Sequence, residues 1–337
     1  MPTLADRLPR PVAAELARRS LWGALPRAVQ AAPPGPPMLA LSFDLDYRED
    51  TAALPPLVAL LDRLGLPMTV FAIGRLVEDD PAPYAEAAAA GHELGNHTWS
   101  HPDNPVLNPD REFWDLSVDE MAEEIGRGQD AIERFAGVRP TSFRSPHFKD
   151  AWAMVAALER SPEITCVSTA LASKCPVPTP YLPVREPVVG DRLSLHFADT
   201  GAGGDGDRNG DRSGDGGRVG GADGVGPKRP LMVPLTPCPG MRWSPFCSYS
   251  AIRVPRDPAR GAGLLDVPEW ERRWERMLAR AWRRKFASVY FDPIDVMRDD
   301  ETRAAFERML VHAVEAGWRV ATVAEVERAW REVVPGA

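Results

Sequence analysis

From Met38 onward the sequence switches repeatedly between two periodicities that no single kind of element can satisfy. Leu39, Leu41 and Phe43 recur at every second position, as on one face of a strand. Leu54, Val58, Leu61 and Leu64 recur at every third or fourth, as on one face of a helix, and Gly65 follows as a stop. The segment 68-MTVFAI-73 then reads as the next strand, and a Pro-started, Ala-rich helix over 81–90 ends at Gly91. The string 117-SVDE-120 is a capping box, and it opens a helix that carries Val118, Met121, Ile125, Ile132 and Phe135 on one face and stops at Gly137. The cycle closes the chain as well: 286-FASVYF-291 as strand, 300–316 as helix, Gly317 as stop, 318-WRVATV-323 as strand, and a last helix. Such alternation makes successive strands parallel and covers them with crossover helices, so the chain is α/β, either a barrel or an open doubly wound sheet. In a barrel, catalytic groups gather at the C-terminal ends of the strands.

Two segments depart from the cycle. Residues 1–37 mix Arg and Glu with Ala and Leu, as in 12-VAAELARRSLWGAL-25, and read as an N-terminal helical extension without the unbroken apolar core of a secretory leader. Residues 201–226 hold twelve Gly and eight charged residues, too little apolar surface to offset the entropy of ordering, so a disordered insertion is expected at about 201–229. No run reaches the roughly 18 apolar residues of a membrane span, which with the absent leader predicts a soluble, cytoplasmic protein. The formal net charge of −8 argues against nucleic acid or an anionic membrane as the main partner and favours a small molecule or a sugar. The four cysteines show no CxxC spacing and read as buried thiols.

Four strings carry chemistry, and each falls at an expected strand end. In 42-SFDLD-46, Asp44 and Asp46 point to the same side, where two carboxylates repel unless a cation or an Arg lies between them. In 97-HTWSH-101, His97 and His101 are four residues apart, a spacing that on its own is a weak metal signal. In 143-FRSPHF-148, Arg144 follows a strand and Pro146 stiffens a loop that exposes the backbone N–H of His147, while 289-VYFDP-293 sets Asp292 at the end of a late strand. Asp46, His97 and His101 together make the two-imidazole, one-carboxylate set of an open catalytic site for zinc or a similar divalent ion. Asp44 is then left as a base for water, and Arg144 would hold that carboxylate in place and ionised. His92, His196 and His312 read as ordinary residues, and Trp270, Trp274 and Trp282, at near-helical spacing, as packing.

In order and spacing these strings resemble the polysaccharide deacetylase family, the NodB-homology or carbohydrate esterase family 4 domain, over about residues 38–330. The family's first, Thr-Phe-Asp-Asp-like motif corresponds to 42-SFDLD-46, its HxxxHP motif to 97-HTWSHP-102, and its RxP motif to Arg144 and Pro146. The spaced DxD form looks like the branch that holds deformylases and cyclic-imide or allantoin-type hydrolases. The resemblance implies an irregular (β/α) barrel of about seven parallel strands. It also implies Asp44 as base, with Asp46, His97 and His101 around one divalent ion, zinc by expectation. The implied activity is hydrolysis of an amide C–N bond that frees an N-acetyl or N-formyl group from an amino sugar. A cyclic imide or allantoin-type hydrolase, or a catalytically silent barrel that keeps a metal or binds sugar, are the alternatives. Two departures stand out. Asp292 occupies the place of the family's late histidine, so the proton for the leaving amine must come from Asp292 or His147, and 164-ITCVSTALAS-173 lacks the Asp and Trp often found there.

Overall fold

The computed structural model describes residues 32–150, 152–169, 179–180, 230–241, 244–248 and 266–333. Most of the N-terminal extension, the insertion expected at 201–229, His196 and Cys175 lie outside the described residues. The chain runs β1 (Met38–Leu45), α1 (Arg48–Leu64), β2 (Thr69–Ala72), α2 (Gly74–Asp79), α3 (Ala82–Ala89), β3 (Glu93–Asn96), α4 (Val118–Ala136), β4 (Ser142–Arg144), α5 (Trp152–Leu158) and β5 (Cys166–Thr169). It continues with β6 (Thr179–Pro180), β7 (Leu231–Pro234), α6 (Val267–Ala281), β8 (Phe286–Phe291), α7 (Pro293–Val296), α8 (Asp300–Glu315), β9 (Arg319–Ala321) and α9 (Val323–Arg331). Among the described residues the expected strands and helices are present. The turn of helix at Gly74–Asp79 was not legible in the periodicity, because its buried residues rest on neighbouring elements rather than repeating along a longer face.

The strands form one sheet in the order β6-β7-β5-β4-β3-β2-β1-β8, with β9 also paired to β1. Every strand pairing among the described residues is parallel except β6 with β7. Residues 38–40 of β1 pair with both β8 and β9, and residues 42–43 with both β8 and β2. A strand has two edges, so β9 and β2 must follow one another along the same edge of β1. Their joint is sealed by side chains: the Thr69 hydroxyl accepts from the Val323 N–H (2.8 Å) and donates to Glu93 (2.7 Å), which also accepts from the Ala324 N–H (3.0 Å). At the far end the chain leaving β7 reaches back to β8, where the Thr236 N–H donates to the Ser288 carbonyl (2.8 Å) and the Tyr290 N–H to that of Phe246 (3.3 Å). The sheet thus curls on itself into the irregular barrel that the motifs implied.

Alternation along β1 divides its residues between two environments. Leu39, Leu41 and Phe43 pack outward in the core with Leu54, Leu61, Trp270, Trp274 and Phe306 from the covering helices. Ser42 and Asp44 face the opposite way, into the curl. Trp270 and Trp274 are buried among Phe246 and Phe291, the packing role expected of them. Phe135 corrects the helix-face reading: it is 36% exposed, beside the Arg134 guanidinium, because in the last turn of α4 it is Ala136 that continues the buried stripe.

α4 also supports the loop after β3, and that contact requires a glycine. A Cβ on Gly128 would stand 2.3 Å from the Asn96 Oδ1 and 2.8 Å from the Thr98 backbone carbon, whereas a Cβ on Gly126 meets nothing within 4 Å. Alanine in a helix interior is ordinarily favoured over glycine by about 1 kcal/mol. Gly126→Ala should therefore stabilise the protein by up to about 1 kcal/mol, while Gly128→Ala, which must displace backbone, should destabilise it by about 1–3 kcal/mol. Denaturant unfolding of both variants checks the opposite signs.

Candidate functional site

The site lies where β1, β3, β4 and β8 end. β1 delivers Asp44 and then Asp46, whose main chain is held from both sides. The Asp50 carboxylate accepts from the N–H groups of Asp46 (3.2 Å) and Tyr47 (3.1 Å), and the Asn104 amide donates to the Asp46 carbonyl (2.8 Å).

β3 leads into the HTWSH segment, which is a cradled turn and not a helix. The N–H groups of Gly74 and Arg75 donate to the carbonyls of Thr98 (3.0 Å) and Trp99 (2.9 Å), and the Trp99 N–H donates to that of Glu124 on α4 (3.0 Å). The Glu124 carboxylate accepts from the Ser100 N–H (2.9 Å) and hydroxyl (2.8 Å), and the Arg127 guanidinium lies 3.3 Å from the centre of the Trp99 ring. These anchors hold Thr98 and His101 at φ 69° and 49°, the left-handed region that costs most residues about 1 kcal/mol or more.

The turn brings both imidazoles to Asp46. The Nε2 atoms of His97 and His101 lie 3.5 and 3.6 Å from the Asp46 Oδ1. That oxygen is buried and has no hydrogen-bond partner. The distances are long for hydrogen bonds but close to the spacing of two atoms that share one tetrahedral ion at about 2.1 Å each. One ligand atom from each of Asp46, His97 and His101 lies within 4.8 Å of the others. The His97 ring donates from Nδ1 to the Arg144 carbonyl (2.8 Å), which leaves the Nε2 lone pair directed at the cluster. Burial pushes the His101 pKa down to about 3, against the pull of Asp46, so this imidazole is neutral and fit to ligate. Burial would raise the Asp46 carboxyl, yet the imidazoles of His101 and His97 beside it hold it well below the usual range. The residues fit a divalent cation: an orphaned carboxylate oxygen, two correctly presented imidazoles, and a second carboxylate nearby.

That second carboxylate is Asp44, and its partner is Arg144. The fully buried guanidinium donates to Asp44 through Nη1 and to the hydroxyls of Ser42 and Ser168 through Nη2 (2.7 Å each), with its Cζ 4.1 Å from the centre of the Phe71 ring. Burial raises the Asp44 pKa, the charges of Arg144 and His97 oppose that, and Asp46 adds to it, so the net direction is upward. A carboxylate in this setting takes up a proton more readily than one in water.

The remaining two expected residues sit on either side. His147 follows Pro146 in a left-handed turn at φ 50°, with its ring 4.9 Å from that of His101 and its Nε2 3.7 Å from Asp103. Burial pushes its pKa down. Asp292 is buried at the N-cap of α7 and its N–H donates to the Ser248 hydroxyl (2.8 Å). Phe43 pairs with Phe291, so Asp292 stands one step beyond, level with Asp44 on the neighbouring strand. Burial raises the Tyr290 phenol well above its ordinary pKa, and Cys247, Asp292 and Asp44 add to that.

The structure brings Asp44, Asp46, His97, His101, Arg144 and His147 together and puts Asp292 on the adjoining strand end. Sequence reasoning missed the supports. Ser42 was in view as the residue two before Asp44 on the same face. Ser168 lies inside the segment that lacks the usual Asp, and its hydroxyl meets Arg144 there. Asn104, Asp50 and Glu124 carry no local signal.

Residues 31–159 match the polysaccharide deacetylase family model. The peptidoglycan-N-acetylmuramic acid deacetylase PdaC of Bacillus subtilis is 32% identical over 114 residues, 34% of this chain and 22% of that protein. A peptidoglycan-N-acetylglucosamine deacetylase of Bacillus cereus is 29% identical over 109 residues, 32% of this chain and 36% of that protein. The matched segment therefore spans well under half the length of these relatives. In fold, the chain is similar to a crystal structure from Mycobacterium smegmatis named as a candidate polysaccharide deacetylase, at a TM-score of 0.65 and 18% identity over 91% of this chain and 95% of that one. Motifs and matched segment agree in making residues 31–159 similar to the polysaccharide deacetylase (NodB-homology, carbohydrate esterase family 4) family, and the likeness of fold extends over most of the chain.

Proposed function

We propose that the protein is a metal-dependent hydrolase that removes an acetyl or formyl group from the nitrogen of an amino sugar. The observation that carries this reading is the position of Asp44, beside the Asp46, His97 and His101 cluster and bonded to Arg144. A site that only stored a metal would have no use for an additional buried carboxylate held in that way. The two curated relatives, named as deacetylases of N-acetylated peptidoglycan sugars, support the substrate class.

Asp46, His97 and His101 would hold the ion, zinc by ligand type. When bound, that ion would polarise the amide carbonyl and lower the pKa of water at the site. Asp44 accepts the proton of the water that adds to the carbonyl carbon, and Arg144 keeps the carboxylate aimed while Ser42 and Ser168 keep Arg144 in place. The backbone N–H of His147 is available to the oxygen on which charge develops. As the C–N bond breaks, the amine takes a proton from Asp292, which stands level with Asp44 at the end of β8.

Three outcomes follow. His97→Ala and His101→Ala should each lose the metal together with activity, whereas Asp44→Asn should keep the metal and lower kcat by about 10² or more. Elemental analysis beside a rate assay on N-acetyl and N-formyl amino sugars, oligomeric and monomeric, checks this division; metal loss in Asp44→Asn would make Asp44 a ligand. In a pH–rate series the base must be deprotonated and the donor protonated, so the acid limb belongs to Asp44 and the alkaline limb to the donor. Asp292→Asn should erase the alkaline limb and lower kcat by about 10² or more, with a much smaller effect of His147→Ala. The reverse pattern assigns the proton to His147.

A further inference from the structure

Outside the proposed catalytic groups, Lys149 is a cation near the site that is held between two carboxylates. Its side chain is 12% exposed and its ammonium donates to Asp103 (2.7 Å) and Glu112 (3.2 Å), with the Trp114 ring centre 5.5 Å away. Exposed lysines gain little from such pairs, but one this covered gives up hydration and rotamer freedom to hold its place. What it joins is informative. Asp103 lies two residues after His101, and Lys149 two after His147. The same Asp103 oxygen is 3.7 Å from the His147 Nε2.

Both joined segments are strained. His101, Asp103, His147 and Phe148 have φ of 49°, 81°, 50° and 53°, all in the left-handed region, and none is glycine. Such conformations persist only where the surroundings over-determine them. The adjoining bonds connect this strain to the metal cluster. The Asn104 N–H donates to the His101 carbonyl (2.8 Å), and the Asn104 amide donates to the Asp46 carbonyl (2.8 Å). Residues 103–104 are thus a junction: one side chain reaches the Asp46 strand end, the other reaches Lys149 and His147.

We propose that Lys149 is a positioning residue, a clasp that through Asp103 holds the His101 turn and the His147 turn in the arrangement the metal cluster needs. The role rests on the reading of Asp46, His97 and His101 as metal ligands, but the clasp itself can be tested without it. Lys149 touches no ligand atom, so its effect travels through backbone.

The test compares wild type, Lys149→Met, Lys149→Arg and Asp103→Asn. The first readout is amide hydrogen exchange of the metal-free protein. Protected amides are available in both turns, since the N–H of Asp103 bonds Asn108 (3.0 Å), that of Phe148 bonds Ser145 (3.0 Å) and that of Lys149 bonds Pro146 (3.0 Å). Lys149→Met should speed exchange at these positions by about tenfold or more, leave α4 unchanged, and be largely reversed in Lys149→Arg. The second readout is the dissociation constant for Co²⁺ from its visible absorption, which should rise by about tenfold or more in Lys149→Met, recover in Lys149→Arg, and rise no further when Asp103→Asn is added to Lys149→Met. Unchanged exchange in the two turns overturns the clasp. Faster exchange with unchanged Co²⁺ affinity overturns the positioning role, and absence of Co²⁺ binding in wild type overturns the metal reading while the exchange result still decides the clasp. Should Lys149→Met fail to fold, Asp103→Asn gives the same two readouts.

Discussion

Everything at the site depends on one buried guanidinium. Arg144 has no exposure to solvent, and a charge there is tolerable only if it is paired and hydrogen-bonded. Asp44 supplies the opposite charge, Ser42 and Ser168 accept two further bonds, and the Phe71 ring lies against the guanidinium plane. The same residue serves the Asp46, His97 and His101 cluster through its main chain, because its carbonyl accepts from the Nδ1–H of His97. Side chain and backbone of Arg144 therefore connect the proposed base with a proposed ligand. Removing one partner of a buried ion pair typically costs about 3–5 kcal/mol, so this connection serves folding as well as the proposed chemistry. It also explains the short β4: three residues suffice to carry Arg144 to the centre of the curl.

The geometry around that centre is made by contacts distant in sequence. β1 is paired along both edges, with β8 along one and β9 followed by β2 along the other, so its C-terminal residues are enclosed by neighbouring strands. Into this position the chain puts two carboxylates, which a barrel interior accepts only with compensating cations. Arg144 compensates Asp44. For Asp46 the compensation among the described residues comes from two imidazoles, and its unpartnered oxygen makes a bound cation the natural completion. The turns that present His101 and His147 take up left-handed conformations and are secured by α2, α4 and the Lys149 pair. Gly128 belongs to the same account, since any side chain there would push on the backbone that carries the proposed ligands.

Much of this was legible in the residues. Period-2 alternation put Asp44 and Asp46 on one face at a strand end, and the strand order then made that end the mouth of a barrel. The HxxxHP and RxP strings located the other groups, and the pairing of Arg144 with Asp44 followed from charge alone. The short helix Gly74–Asp79 escaped notice because its periodicity is too brief to register, and Phe135 was misplaced because the drift of the helical stripe is decided by what packs against the last turn. Ser168, Asn104, Glu124 and Lys149 were not legible at all. Each acts on a partner 24 to 58 residues away, and nothing in a local pattern encodes which polar residue will be carried to which loop.

The central claim is a division of labour between two carboxylates two residues apart: Asp46 toward a metal with His97 and His101, Asp44 toward Arg144 and the attacking water. Diffraction from zinc-loaded crystals, with the ion located by its anomalous signal, tests it most directly. The account predicts one ion in contact with Asp46, His97 and His101, with the Asp44 to Arg144 bond intact and Asp44 outside the coordination shell. An ion coordinated by both Asp44 and Asp46, with Arg144 released, would contradict it.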